Sequence, residues 1–149
     1  GKAGGVVAAM SSIVRGHGSN PTRFVDHAQI GKYNFTLNNP NSWMSVDLGQ
    51  GRKLKPDYYC LRHDKHGASH VLRNWRLEGS NDGSAWSPLR VHNNDASLAE
   101  VAFSTASWSV EGVAESYQHF RILQTGKNSN NADYLMCAGI ELYGLLTEK

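Results

Sequence analysis

The sequence lacks several features that would place it early. It has no run of eighteen apolar residues, so nothing in it reads as a membrane-spanning helix. It has two cysteines, Cys60 and Cys137, and both sit inside apolar runs. Buried free thiols are the expected state, since free cysteine packs as a small hydrophobe. A disulfide between neighbouring strands is the alternative. Two core-placed thiols suit a reducing, intracellular compartment better than a stapled secreted domain. Charge imbalance is small too: 15 Lys and Arg against 13 Asp and Glu give a net charge of +2 and a pI of 8.6. That alone does not point to nucleic acid. No G-x-S-x-G elbow, Gly-rich phosphate loop or HExxH motif is present, so no enzyme is expected. No signal peptide is legible at the start, and Gly1 to Gly5 reads as the boundary of a piece of a larger protein.

What is there is the periodicity of strands. Ser42 to Leu48 mostly alternates apolar with small or polar residues, and Gly49-Gln50-Gly51 turns the chain. Lys53 to Leu61 reads as the next strand, with Pro56 near its start. Asn74 to Gly79 follows, with Trp75 and Leu77 on one face and Arg76 and Glu78 on the other. Ser80-Asn81-Asp82-Gly83-Ser84 is a tight hairpin signal. Trp86 to His92, Ala99 to Val110, Tyr117 to Gln124 and Ala138 to Leu145 complete the set. Only Ala3 to Val14 reads as helical, and its Gly and Val content opposes even that. About eight short strands in one domain of residues 1–149 predict an all-β sandwich or jelly roll. A chain this long buries about 68–70% of the surface its unfolded form exposes, so no metal or disulfide is needed to fold it.

Four segments resemble a known family. Trp43-Met44-Ser45-Val46-Asp47-Leu48-Gly49 is similar to a strand of discoidin domains, the coagulation factor V/VIII C-type, galactose-binding-like modules. Trp75 to Trp86 resembles their hairpin, Phe120-Arg121-Ile122 a central strand, and Ile140-Glu141-Leu142-Tyr143-Gly144 their ending. Tyr59-Cys60-Leu61-Arg62-His63 and Leu72-Arg73-Asn74-Trp75 resemble the intracellular discoidin-like domains attached to BTB proteins and HECT-type ubiquitin ligases. The resemblance implies a jelly-roll β-sandwich of antiparallel strands. Secreted members usually carry a cysteine pair joining the domain's ends, which these two cysteines do not match. The triplet Asn34-Phe35-Thr36, a glycosylation signal, points the other way and arises often by chance. A large Trp is expected between the sheets. Arg121 is expected to pair with a carboxylate such as Glu141 or Asp47.

The resemblance also implies a ligand held by loops at one end of the barrel. Three segments would form that end: Arg15 to Arg23 with Asn38 to Asn41, Arg62 to Arg73, and Thr125 to Tyr134. The candidate binding residues are Arg62, His63, Asp64, Lys65, His66, His70 and Arg73, with Lys127, Asn128 and Tyr134. From Arg52 to Arg76 there are seven Lys or Arg, three His and only Asp57 and Asp64 as acids. If that segment lies on one surface, an acidic partner is drawn there. The functional reading is a basic pocket for an acidic peptide, a carboxylate or sugar hydroxyls. The bland reading is a solvated loop, with Arg62 and Arg73 pinning backbone carbonyls. His63, His66 and His70 have a spacing zinc can use, but no cysteine stands beside them, and no metal or cofactor is expected. A protein-interaction module within a ubiquitin ligase or related intracellular protein is the first expectation. A carbohydrate-binding module, with Tyr134, Tyr33 or Phe35 as its platform, is the alternative. Neither nucleic acid nor membrane is an expected partner.

Overall fold

The computed structural model describes residues 6–14, 19–25 and 33–148. Its strands are β1 (Val7–Met10), β2 (Trp43–Asp47), β3 (Arg52–Arg62), β4 (Trp75–Ser80), β5 (Ser87–His92), β6 (Thr105–Ser109), β7 (His119–Gln124) and β8 (Gly139–Glu148), with one 3-10 turn at Pro21–Phe24. A five-stranded sheet runs β1-β2-β7-β4-β5 and faces a three-stranded sheet, β6-β3-β8. Every pairing is antiparallel. This is the all-β sandwich that the strand periodicity predicts.

Two predicted elements differ. The stretch expected to be helical carries β1 instead, registered as Val7 opposite Asp47 and Met10 opposite Met44. Its β-branched and small residues suit a strand edge better than a helix; residues 3–5 of that stretch lie outside the described residues. The strand read from Ala99 to Val110 begins only at Thr105. Val101 is exposed, and Phe103 takes a left-handed backbone at φ 61°, which no ladder accepts.

The core forms because the strands alternate. Phe120 and Ile122 of β7, Met44 and Val46 of β2, Trp75 and Leu77 of β4, and Tyr59 and Leu61 of β3 all point between the sheets. Two of the four tryptophans, Trp75 and Trp108, fill that space; Trp43 and Trp86 are half-buried outside it. On β8, Ile140 packs inward, whereas Tyr143 is 47% exposed. A bulge between Pro56 and Tyr58 shifts the β3–β8 register. At Gly144 a Cβ would sit 2.0 Å from the Lys55 carbonyl oxygen, so the bulge requires glycine there.

One polar chain crosses the core. Trp75 Nε1–H donates to the Tyr59 hydroxyl (2.9 Å), which donates to His92 Nε2 (2.6 Å), and His92 Nδ1–H donates to Asp95 (2.8 Å). The His92 ring stacks on Trp75 with centroids 3.9 Å apart. Each buried donor and acceptor in this chain is thereby matched. Burial pushes the Tyr59 hydroxyl pKa up and the His92 pKa down, which favours the neutral forms the chain needs.

Cys60 and Cys137 are both free. Cys137 is buried, and burial pushes its pKa up to about 12; Cys60 is only half-buried, where a fully buried thiol was expected. Arg121 pairs with Glu78 (2.7 Å), not with Glu141 or Asp47. The register explains this: Glu78 lies directly opposite Arg121 on β4. The Asp47 carboxylate instead accepts from the Gly49 backbone and from Gln118.

Candidate functional site

The ends of the strands collect the loops. β3 ends and β8 begins at one pole, where β2 and β4 start and β7 stops. The 62–74, 93–104 and 125–138 connections, and the segment before β2, meet there. Side chains tie them together. Asn34 donates its backbone N–H to Asp64 (3.1 Å), Asn38 accepts from the Asp133 backbone (2.7 Å), and Ser129 accepts from the Val71 backbone (2.8 Å). Residues 99–104 of the 93–104 connection were read as the start of a strand, so its place at this pole was not anticipated. It belongs there because Ser104 accepts from His63 N–H and Arg73 reaches Leu98 O (2.9 Å).

The predicted site residues divide. His63 and Asp64 have no exposed surface, and Asn128 is 5% exposed. Asp64 holds the loop: it accepts from the His66 backbone and from His66 Nδ1, each at 2.8 Å. Asn128 does the same for the third loop. It accepts from the Asn130 and Ala132 backbones and donates to Tyr134 O and His70 Nδ1. Arg73 pins the carbonyls of Leu72 and Leu98 and faces Glu100 (3.6 Å), as the structural reading of it expects. Arg62 lines a small depression beside Cys60, Thr105 and Glu141, on the flank of the three-stranded sheet. Residues 15–18 of the first predicted segment lie outside the described residues.

What remains at the surface is a row of rings. Lys65 stands over Tyr33 with its ammonium 5.4 Å from the ring centroid. Tyr33 meets His66 (4.6 Å), His66 meets Phe35 (4.8 Å), Phe35 meets Tyr134 (6.1 Å) and Tyr134 meets His70 (5.0 Å), all edge to face. Phe35 is buried beneath the others, while Tyr33, His66, His70 and Tyr134 are half-buried. Lys127, 55% exposed, forms an ion pair with Asp133 (2.6 Å) at the rim. Nothing in strand periodicity marks this row, because its rings come from three separate loops.

The basic stretch does not form one surface. β3 carries Arg52, Lys53 and Lys55 near one pole and Arg62 at the other, about 33 Å away along the strand. Arg76 lies on the outer face of the opposite sheet, paired with Glu78 (2.9 Å). The glycosylation triplet is closed as well: Asn34 has no exposed surface and donates to Cys137 O (2.9 Å). The three histidines take different partners: His66 Asp64, His70 Asn128, and His63 none at hydrogen-bond geometry.

No protein-family model matches the chain. Over 113 residues it is 41% identical to the E3 ubiquitin-protein ligase Ufd4 of Drosophila melanogaster, and over 111 residues 40% identical to the E3 ubiquitin-protein ligase hecd-1 of Caenorhabditis elegans. Each match covers 73% of this chain but only 4% of the ligase. A BTB/POZ domain-containing protein of Arabidopsis thaliana is 34% identical over 109 residues, 70% of this chain and 13% of that protein. Among solved structures, a CBM32 module of Clostridium perfringens in complex with GalNAc-β-1,3-galactose superposes with a TM-score of 0.70 at 13% identity, covering 93% of this chain and 95% of that one. A chitosan-binding module of Paenibacillus sp. IK-5 gives 0.70 at 17% identity, covering 93% and 94%. The chain thus has the discoidin-like, galactose-binding-like β-sandwich fold and is matched in sequence by short segments of E3 ubiquitin ligases and of a BTB protein.

Proposed function

We propose that the chain is a non-catalytic recognition module that binds a protein or peptide through the ring row at its loop pole. It works inside the cell, as a substrate-recruiting or scaffolding part of a ubiquitin ligase or a related protein. The row Lys65–Tyr33–His66–Phe35–Tyr134–His70 carries this reading. It presents rigid rings of low conformational freedom with the Lys65 ammonium at one margin, a composition suited to apolar and acidic peptide groups. Asp64 locks the His66 ring through Nδ1, so Nε2 is left to face a ligand. The ligase relatives and the two free thiols support the cellular setting.

A second reading, carbohydrate binding, is favoured by one observation: Tyr33 and Tyr134 are half-buried rings at the same loop pole as Asn38 and Asn130, which accept from the Asp133 and His70 backbones and whose amide groups can meet hydroxyls. The CBM32 module of Clostridium perfringens in complex with GalNAc-β-1,3-galactose shares the fold. The two readings separate on paired arrays. Peptide-array hits lost in Tyr134→Ala and in Lys65→Ala, with a blank glycan array, are expected. Glycan hits lost in Tyr134→Ala establish the second reading instead. Peptide hits unchanged in both variants sink the row as the binding site. Arg73→Ala is a poor probe, because it frees two carbonyls and perturbs the loop itself.

A further inference from the structure

Trp43 and Trp86 serve neither the core nor the loop pole. They stand on the outer face of the five-stranded sheet and bound a groove of about 300 Å³. The groove follows from alternation. Met44 and Val46 point inward from β2, so Trp43, Ser45 and Asp47 point out, beside Val7 and Ala9 of β1 and His119 and Arg121 of β7. Small residues at Ala9, Ser45 and Gly83 keep its middle low between the two indoles. From Trp43 to Asp47 the strand rises about 13 Å, the length of a short extended peptide.

Arg121 is its main charged donor. Its Nε donates to Glu78, and its guanidinium lies 4.3 Å from the Trp86 ring. Glu78 is buried and also accepts from Arg76 (2.9 Å), so two guanidinium groups share one carboxylate. Among the described residues, no other side chain or carbonyl takes the remaining N–H groups of Arg121. A guanidinium stacked on indole, with one edge fixed and its other N–H groups unused, is prepared to take a planar anion in a two-pronged hydrogen bond. Asp47 also lines the groove, two positions along β2 from Ser45, the residue opposite Arg121; its carboxylate accepts from Gly49 and Gln118 and lies 3.9 Å from His119 Nδ1.

We propose that this groove is a second recognition site and takes an acidic peptide segment. A carboxylate side chain would meet the free N–H groups of Arg121, and a neighbouring bulky apolar side chain would lie between Trp43 and Trp86. The unused N–H groups of the planar Arg121 guanidinium favour a carboxylate over a neutral sugar.

The test uses the whole 149-residue chain and two probes of equal shape, acetyl-Phe-Glu-amide and acetyl-Phe-Gln-amide, followed by the indole N–H resonances of Trp43 and Trp86. The glutamate probe is expected to shift both resonances and to bind about ten-fold more tightly than its glutamine analogue, the ratio a charge-assisted hydrogen bond gives. Arg121→Gln should erase that ratio. Trp86→Ala and Trp43→Ala, whose rings lie outside the core, should each weaken the glutamate probe. Equal binding of the two probes, absence of shifts at these indoles, or shifts with methyl β-D-galactoside in place of the peptide overturns the proposal. If Arg121→Gln does not fold, unchanged affinity in both tryptophan variants overturns it equally.

Discussion

Acid should destabilise this fold well before its carboxylates protonate. His63 and His92 are buried, and burial is the leading cause that lowers the pKa of each below the usual 6.5. Nearby carboxylates, Asp64 for His63 and Asp95 for His92, oppose that shift without reversing it. In the unfolded chain both imidazoles take protons as the pH falls through 6.5; in the native state they take them only at lower pH. The unfolded state therefore binds more protons in this window, and stability falls as pH falls. Each imidazole can contribute at most about 1.4 kcal/mol per pH unit, and the pair about 2.7 kcal/mol per unit. Against a typical domain stability of about 5–15 kcal/mol, that slope is large. Urea unfolding at a series of pH values from about 7.5 down to about 5 measures it directly. His63→Leu isolates one half. Neither ring nitrogen of His63 makes a hydrogen bond of acceptable geometry, although the backbone of Gly67 and Met136 is close enough to favour the charged form slightly. Leucine removes that buried polarity, so it should leave neutral-pH stability equal or higher and roughly halve the acid slope. A stability that is flat across the window refutes the reasoning, and so does a slope unchanged in His63→Leu.

Two further outcomes follow from packing. Gly144→Ala drives a methyl into the Lys55 carbonyl, and only a backbone shift at the bulge relieves it, so the urea midpoint should drop by the equivalent of about 1–3 kcal/mol; a loss within error shows that the bulge can move. In the native protein an aromatic disulfide reagent at mildly alkaline pH should modify Cys60 and spare Cys137, whose buried thiol has a pKa near 12; equal rates for the two thiols contradict the assigned burial.

The sequence alone determined the strands, the hairpin and the fold class. These rest on local physics: alternation places Trp75, Leu77, Phe120 and Ile122 inward, and Asp82-Gly83 turns with Gly83 at φ 75°. Alternation has a phase that it cannot supply by itself. In the run from Ser42 to Leu48, Met44 and Val46 take the core and leave Trp43 outside. The β1 edge and the irregular residues 99–104 were misread, because a few β-branched residues or an alternating run carry no information about which partner strand is within reach.

Tertiary structure decided everything about the candidate sites. It buried His63, Asp64 and Asn128 as loop anchors, although in sequence they are as polar as the exposed Lys65 and Lys127 beside them. It dispersed the basic stretch, because an eleven-residue strand carries its ends to opposite poles. It gave Arg121 to Glu78 through cross-strand register, a pairing fixed between residues 43 positions apart. It also assembled the ring row from Tyr33 and Phe35, His66 and His70, and Tyr134. Periodicity is a property of one strand; a site at the end of a sandwich is a property of how several loops meet, and that is set only when the sheets close on their core.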